Sequence, residues 1–289
     1  MNIIKNSVFI VIAALAGSAF AQDAATAATD RSSDAGPLSL GTTTGAQIGL
    51  GAGYYYYREP NLGVTSHAIK GSVDAAGTYH FSNGMFVRGE ADYSNGPASY
   101  SSASGNKTTP NFYYEIRALF GTDIAVAGSD FSPFTGIGYR YLEDKFAGLI
   151  SPGVFGYNRQ SQYIYVPLGV TQRMHIGSAS NRLATTFEFD YLLFGHEKSS
   201  LSTSGLVGFD GITEYDDSNN NQRHGYALRL SSMYETRSWS IGPYLTYWNI
   251  GRSTVSQVTV KQFRTTTILG FIEPKNNTTE VGVKVAYRF

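Results

Sequence analysis

Residues 280–289 read EVGVKVAYRF, and this stretch decides the fold. In an extended chain Val281, Val283, Val285, Tyr287 and Phe289 fall on one face, and Glu280, Gly282, Lys284, Ala286 and Arg288 fall on the other. An apolar face backed by a charged one suits a strand that closes a barrel in a bilayer, with lipid outside and a polar interior. The alternative is a terminal strand of a soluble sandwich.

The rest of the chain repeats the pattern. Period-two alternation, or enrichment in aromatic and β-branched residues, predicts nine further strands: 45–57, 69–81, 85–93, 112–126, 131–142, 162–175, 183–196, 224–235 and 239–249. The connections alternate in length. Those at 82–84, 127–130, 177–182 and 236–238 are tight, whereas 58–68, 94–111, 143–161, 197–223 and 250–278 are long and rich in Gly, Ser, Asn and Thr. Short turns at one end and long loops at the other are the asymmetry of outer-membrane barrels. An even strand count with both termini in the periplasm gives five outer loops and four inner turns. The fold expected is therefore an all-β, transmembrane antiparallel β-barrel of ten strands, with eight or twelve as alternatives.

The terminal stretch, with Phe289 at its last position, resembles the assembly signature of bacterial outer-membrane β-barrel proteins. That resemblance implies insertion by the barrel-assembly machinery, a location in the bacterial outer membrane, and outer-membrane lipid and lipopolysaccharide as surroundings. Residues 1–21 read as a signal peptide, with Lys5 near the front, an apolar core and the Ala19-Phe20-Ala21 cleavage pattern. That core is shorter than the roughly 20 residues a spanning helix needs. Residues 22–42, rich in Ala, Thr, Ser and Asp, read as a flexible periplasmic lead-in, and 43–289 as the barrel domain. With 22 basic and 22 acidic side chains the chain is neutral, which argues against a nucleic-acid partner, and it has no cysteine for a disulfide or thiolate metal site. No cofactor is expected. The 21 Tyr and 17 Phe suit interfacial girdles, to which Tyr54 to Tyr57, Tyr93, Tyr139, Tyr141, Tyr191, Tyr234, Tyr247 and Trp239 are assigned.

Following the polar positions of each strand gives an interior ladder. It comprises Lys70, Asp74 and His80, Arg88, Glu90 and Asp92, Glu115, Arg117 and Asp123, Arg140, Arg173, Glu188 and Asp190, Arg229, Glu280, Lys284 and Arg288. Eight cations face eight carboxylates. In a barrel of about ten strands, close to the ~8 whose side chains fill the interior, such charges must pair. Balance predicts a structural interior, whereas an ion-selective pore would show an excess of one sign or a wider barrel.

Gly49, Gly51 and Gly53, and Gly136 with Gly138, look superficially like a phosphate loop. They alternate inside strands instead of preceding a helix, so they are read as making room for large neighbours. The ten-strand layout also resembles the omptin surface proteases, which work with an Asp pair and an Asp-x-His pair at the outer rim. Here no Asp-x-Asp occurs and no His has Asp two residues before it. Catalytic candidates are His196, His224 and Asp92, as general bases or acids of a rim hydrolase. His196-Glu197-Lys198-Ser199-Ser200 offers the residue types of an ester hydrolase, but adjacent strand residues point to opposite faces. The function expected first is a non-enzymatic structural or surface-interaction role exercised through the long loops, whose ligand the sequence does not name. A small diffusion pore comes second and a rim hydrolase third.

Overall fold

The computed structural model describes residues 37–289. The expected signal peptide and most of the lead-in lie outside the described residues. Strands β1 (Gly45–Glu59), β2 (Val64–His80), β3 (Met85–Ser102) and β4 (Gly105–Thr122) follow one another as antiparallel neighbours. After the short β5 (Ile124–Val126), strands β6 (Ser129–Ser151), β7 (Val154–Ile176) and β8 (Ser178–Ser200) continue the wall. The next connection holds a single 3-10 turn (Leu201–Thr203), β9 (Ile212–Tyr215) and β10 (Ser218–Gln222). Then come β11 (Gly225–Glu235), β12 (Trp239–Ile250), β13 (Ser256–Gln262), β14 (Thr265–Phe271) and β15 (Asn276–Arg288).

The closing strand is the stretch quoted first. β15 pairs on one side with β12, Tyr287 opposite Trp239, and on the other with β1, Arg288 opposite Gln47. The Phe289 amide donates to the Ala46 carbonyl at 2.8 Å. Ten antiparallel strands (β1–β4, β6–β8, β11, β12 and β15) thus form a closed barrel, and closure leaves the wall no free edge. Facing follows the pleat. Val281, Val283, Val285, Tyr287 and Phe289 are exposed on the outer surface, while Glu280 and Ala286 are buried.

All ten expected strands appear, but most outer ends run on. Residues expected as loops at 58–68, 94–111 and 143–161 are largely strand, leaving only 60–63, 103–104 and 152–153 as connections. The apolar-out pattern stops because the outward face becomes polar, at Arg58, Lys145 and Lys198, yet the hydrogen-bond ladder needs no apolar face and continues. At the other end Gly177 alone separates β7 from β8, so 178–182 belongs to the wall.

The aromatic expectation is half corrected. Trp239, Tyr287 and Phe289 form an edge-to-face row at one rim (4.9 and 5.1 Å between centroids), and Tyr114 stacks on Tyr141 at 5.0 Å towards the other. Tyr55 and Tyr57, by contrast, are buried in the lumen. They alternate with outward Tyr54 and Tyr56, so a four-tyrosine run necessarily serves both faces. Above the barrel, β9, β13 and β14 make a separate three-stranded sheet. Aromatic pairs tie this lobe to the outer end of β7, Phe155 on Phe209 and Tyr157 on Phe271, while Tyr100 on Phe146 joins the outer ends of β3 and β6.

Candidate functional site

Period-two alternation turns the ionisable side chains of the strands into the lumen, where they lie in layers. Arg229 on β11 donates from its two terminal nitrogens to the two oxygens of Glu115 (2.8 and 2.9 Å) and from Nε to Asp190 at 2.7 Å. Arg117 Nε donates to Glu90 at 2.7 Å, and its other end pairs with Glu188. Arg88 takes the second Glu90 oxygen at 2.6 Å, and Arg140 lies 3.5 Å from Glu115. Lys284 on β15 pairs with Asp92 at 2.7 Å and lies 3.6 Å from Asp74. Arg117 and Arg229 each serve two or more carboxylates, and Glu90 and Glu115 each take two guanidiniums, which is what keeps so many desolvated charges tolerable in one enclosure.

Outward of this network the lumen is filled. Lys70, only 1% exposed, sits 3.8 Å above the Tyr55 ring, and the Arg140 guanidinium lies 3.8 Å from the Tyr113 ring. Trp248 meets Tyr165 edge-on at 5.3 Å and stacks with Tyr163 at 6.0 Å. Glu280 accepts from the hydroxyls of Tyr244 (2.8 Å) and Tyr113 (3.2 Å). Gly138 is required here, since a Cβ would stand 2.2 Å from the Tyr165 ring. Gly53 does the same for Tyr244, so these glycines admit large neighbours, as read from their placement inside strands.

A third layer lies above. Arg159 reaches Glu59 (2.9 Å), Glu197 (3.1 Å), Asp144 (3.3 Å) and Glu273 (3.8 Å). Lys70 bonds Asn111, which bonds Asp144, joining this layer to the aromatic one. Ser199 donates to Glu273 at 2.8 Å, fastening the last outer connection onto β8. A void of about 20 Å³ beside Arg140 and Arg159 has room for roughly one water.

At the opposite end Asp123 accepts from the Thr42 amide (2.6 Å), the Thr42 hydroxyl (2.8 Å) and Ser132 (2.6 Å), with His80 at 3.4 Å. Arg182 bonds the carbonyls of Ser39 and Gly41 and, through Nε, Glu235 at 2.6 Å; Arg288 holds the other Glu235 oxygen. Residues 38–44 therefore lie pinned across this mouth, although the sequence reads as a flexible lead-in up to residue 42.

Seven charged residues of the lumen networks escaped sequence reasoning: Glu59, Asp144, Arg159, Arg182, Glu197, Glu235 and Glu273. Most fall in segments read as loops or turns. They add five carboxylates and two cations to the ladder, so the interior is acidic in its outer layer instead of balanced. The only usable signal was the alternation Arg159, Ser161, Tyr163, Tyr165 running back from the β7 core.

The catalytic candidates do not meet. Asp92 is inside the lumen on Lys284. His196 shares the outward face with Phe194 and contacts Asn221 (Nδ1 to Oδ1, 3.2 Å), and His224 is exposed at the start of β11.

No family model and no curated protein matches this chain. Among solved structures it is similar to the outer membrane protease OmpT from Escherichia coli, with a TM-score of 0.57 and 9% identity over 87% of this chain and 100% of that one. An outer membrane channel from Pseudomonas putida F1 (TM-score 0.41, 13% identity, 89% and 100% covered) and Neisserial surface protein A (0.33, 12%, 85% and 98%) also match. The fold is that of the bacterial outer-membrane β-barrels. At 9% identity the likeness to OmpT extends to the fold alone.

Proposed function

We propose that this chain is an integral outer-membrane protein that passes no solute through its lumen and acts through the face it presents outside the cell. The observation that supports this best is the filling of the lumen. Tyr55, Lys70, Arg140, Tyr165 and Trp248 are all buried in one layer, with the Arg159 cluster stacked beyond it. In this reading the exposed apolar band sits in outer-membrane lipid bounded by lipopolysaccharide. The barrel-assembly machinery reads Val281, Val283, Val285, Tyr287 and Phe289. The outer lobe, where Phe263 is 72% and Ile268 64% exposed, makes the functional contacts.

A pore is the second reading, favoured by the open chamber in the inner half of the barrel. Two measurements on whole cells test the proposal together. An epitope inserted next to Gly270 should be reached by antibody on intact cells, and uptake of a small hydrophilic reporter solute should be equal with and without the protein. A shielded epitope, or uptake that rises with expression, overturns it.

A further inference from the structure

The inner half of the lumen is hollow: a chamber of about 600 Å³ runs from the Tyr113–Arg140 layer to the mouth at Thr43 and Phe289. That is the size of a small-molecule site, roughly 300–1,000 Å³. Its charge is unevenly spread. Near the aromatic layer Arg117, Arg140 and Arg229 are interlocked with Glu90, Glu115, Glu188 and Asp190. At the mouth three guanidiniums, Arg173, Arg182 and Arg288, gather near two carboxylates: Glu235, already shared by Arg182 and Arg288, and Asp123, which reaches Arg173 only through the Ser132 hydroxyl.

Arg173 is the odd member. Its terminal nitrogen takes the Ser132 hydroxyl at 2.6 Å, its Nε is buried without an acceptor, and no carboxylate lies within ion-pair distance among the described residues. The nearby Asp123 spends its oxygens on Thr42 and Ser132 and faces His80, and Arg88 is committed to Glu90. A guanidinium without a carboxylate partner, lining a chamber wide enough for a ligand and beside two further cations, suits carboxylate or phosphate oxygens.

We propose that this mouth is a binding site for a small solute carrying a phosphate or carboxylate group, held by Arg173 with Arg182 and Arg288 flanking it. The site lies in the inner chamber, at the end opposite the surface lobe, and binding there is measured independently of conductance. Residues 38–44, held by Arg182 and Asp123, form part of its rim.

Calorimetric titration of the refolded full chain in detergent tests it, with inorganic phosphate and citrate as separate probes. Saturable single-site binding of phosphate alone assigns the site to phosphates, and of citrate alone to carboxylates. Arg173→Gln should weaken that binding by about tenfold or more, a loss of about 1.4 kcal/mol. Arg173→Lys, which keeps the charge and loses the fork, should fall between the two. Lys261→Gln on the outer lobe should bind as wild type. Heat-modifiable migration verifies that each variant is folded, and the lysine variant carries the comparison if the glutamine variant is not. Absence of saturable binding for both probes, or wild-type affinity in the folded Arg173 variants, overturns the proposal.

Discussion

Arg229 on β11 and Glu115 on β4 face each other across the lumen and share two hydrogen bonds, at 2.8 and 2.9 Å. Neither strand neighbours the other in the wall. The pair is a strut through the barrel, and the same guanidinium reaches Asp190 and Glu188. Removing it leaves Asp190 without a cation and Glu115 and Glu188 with one each, so we predict that Arg229→Ala lowers stability to urea by about 3–5 kcal/mol. Arg117→Ala, which takes one of two cations from each of Glu90 and Glu188, should act in the same direction. Replacing Arg229 and Glu115 together by Met and Leu should recover part of the loss, because it removes the charges on both sides. Neutral effects of both single variants would mean that these groups are hydrated by an open water path.

Arg159 is the single guanidinium among Glu59, Asp144, Glu197 and Glu273. We predict that Arg159→Gln loosens the outer half selectively. Hydrogen exchange should quicken at the outer ends of β7 and β8 and in the last outer connection, while the inner turns keep their protection. Uniform exchange across both halves would contradict a separate outer layer.

The wall supplies a test of facing. Val283 is exposed on the outer surface and Ala286 is buried against the lumen. Val283→Arg should cost about 2–4 kcal/mol near the bilayer midplane, whereas at Ala286 the cost depends on fit and on pairing with neighbours. Equal tolerance of arginine at the two sites would put the faces in the wrong sense. Deleting Phe289 should reduce insertion in cells without blocking secretion, and wild-type amounts of heat-modifiable barrel from the deletion would remove its role in assembly.

Outside the membrane, Asp217 accepts from the Ser202 amide (3.0 Å) and hydroxyl (2.7 Å) and pairs with Lys198 at 3.0 Å. Partial burial alone would raise this carboxyl, but the Ser202 bonds and the Lys198 ammonium outweigh it and hold it below the usual range. A depressed carboxyl contributes its stability above the unfolded pKa, about 3.9, and loses it as pH falls through the lower folded value. We predict that the protection factor of the Ser202 amide drops in that acid window in wild type and is already low in Asp217→Asn. A pH-independent protection factor in wild type would show that Asp217 does not hold this turn.

The barrel was legible where lipid imposes alternation. The sequence of β15 specified its own facing, and the strand count followed from period two and from the short-long alternation of connections. Legibility ended where lipid ends. Beyond Arg58, Lys145 and Lys198 the regular apolar-out alternation is lost, so the strands at 94–111 and 143–161 looked like loops, and Asp144 and Arg159 were lost with them. Glu273 was invisible for another reason: it belongs to an irregular connection folded down into the lumen, and only the tertiary structure brings it to Arg159. The ladder residues could be assigned to the interior one by one, but not the layers they form, because pairings such as Arg229 with Glu115 join strands 114 residues apart.

The central claim is that the lumen is sealed, and single-channel recording of the refolded protein in planar bilayers tests it most directly. Packing of Lys70, Tyr55, Tyr113, Arg140, Tyr165 and Trp248 into one layer predicts a silent bilayer, with openings emerging only when that layer is cut back, as in a Trp248→Ala, Tyr165→Ala variant. Stable, discrete and ion-selective openings of the wild-type protein would contradict it and make the inner chamber the vestibule of a pore.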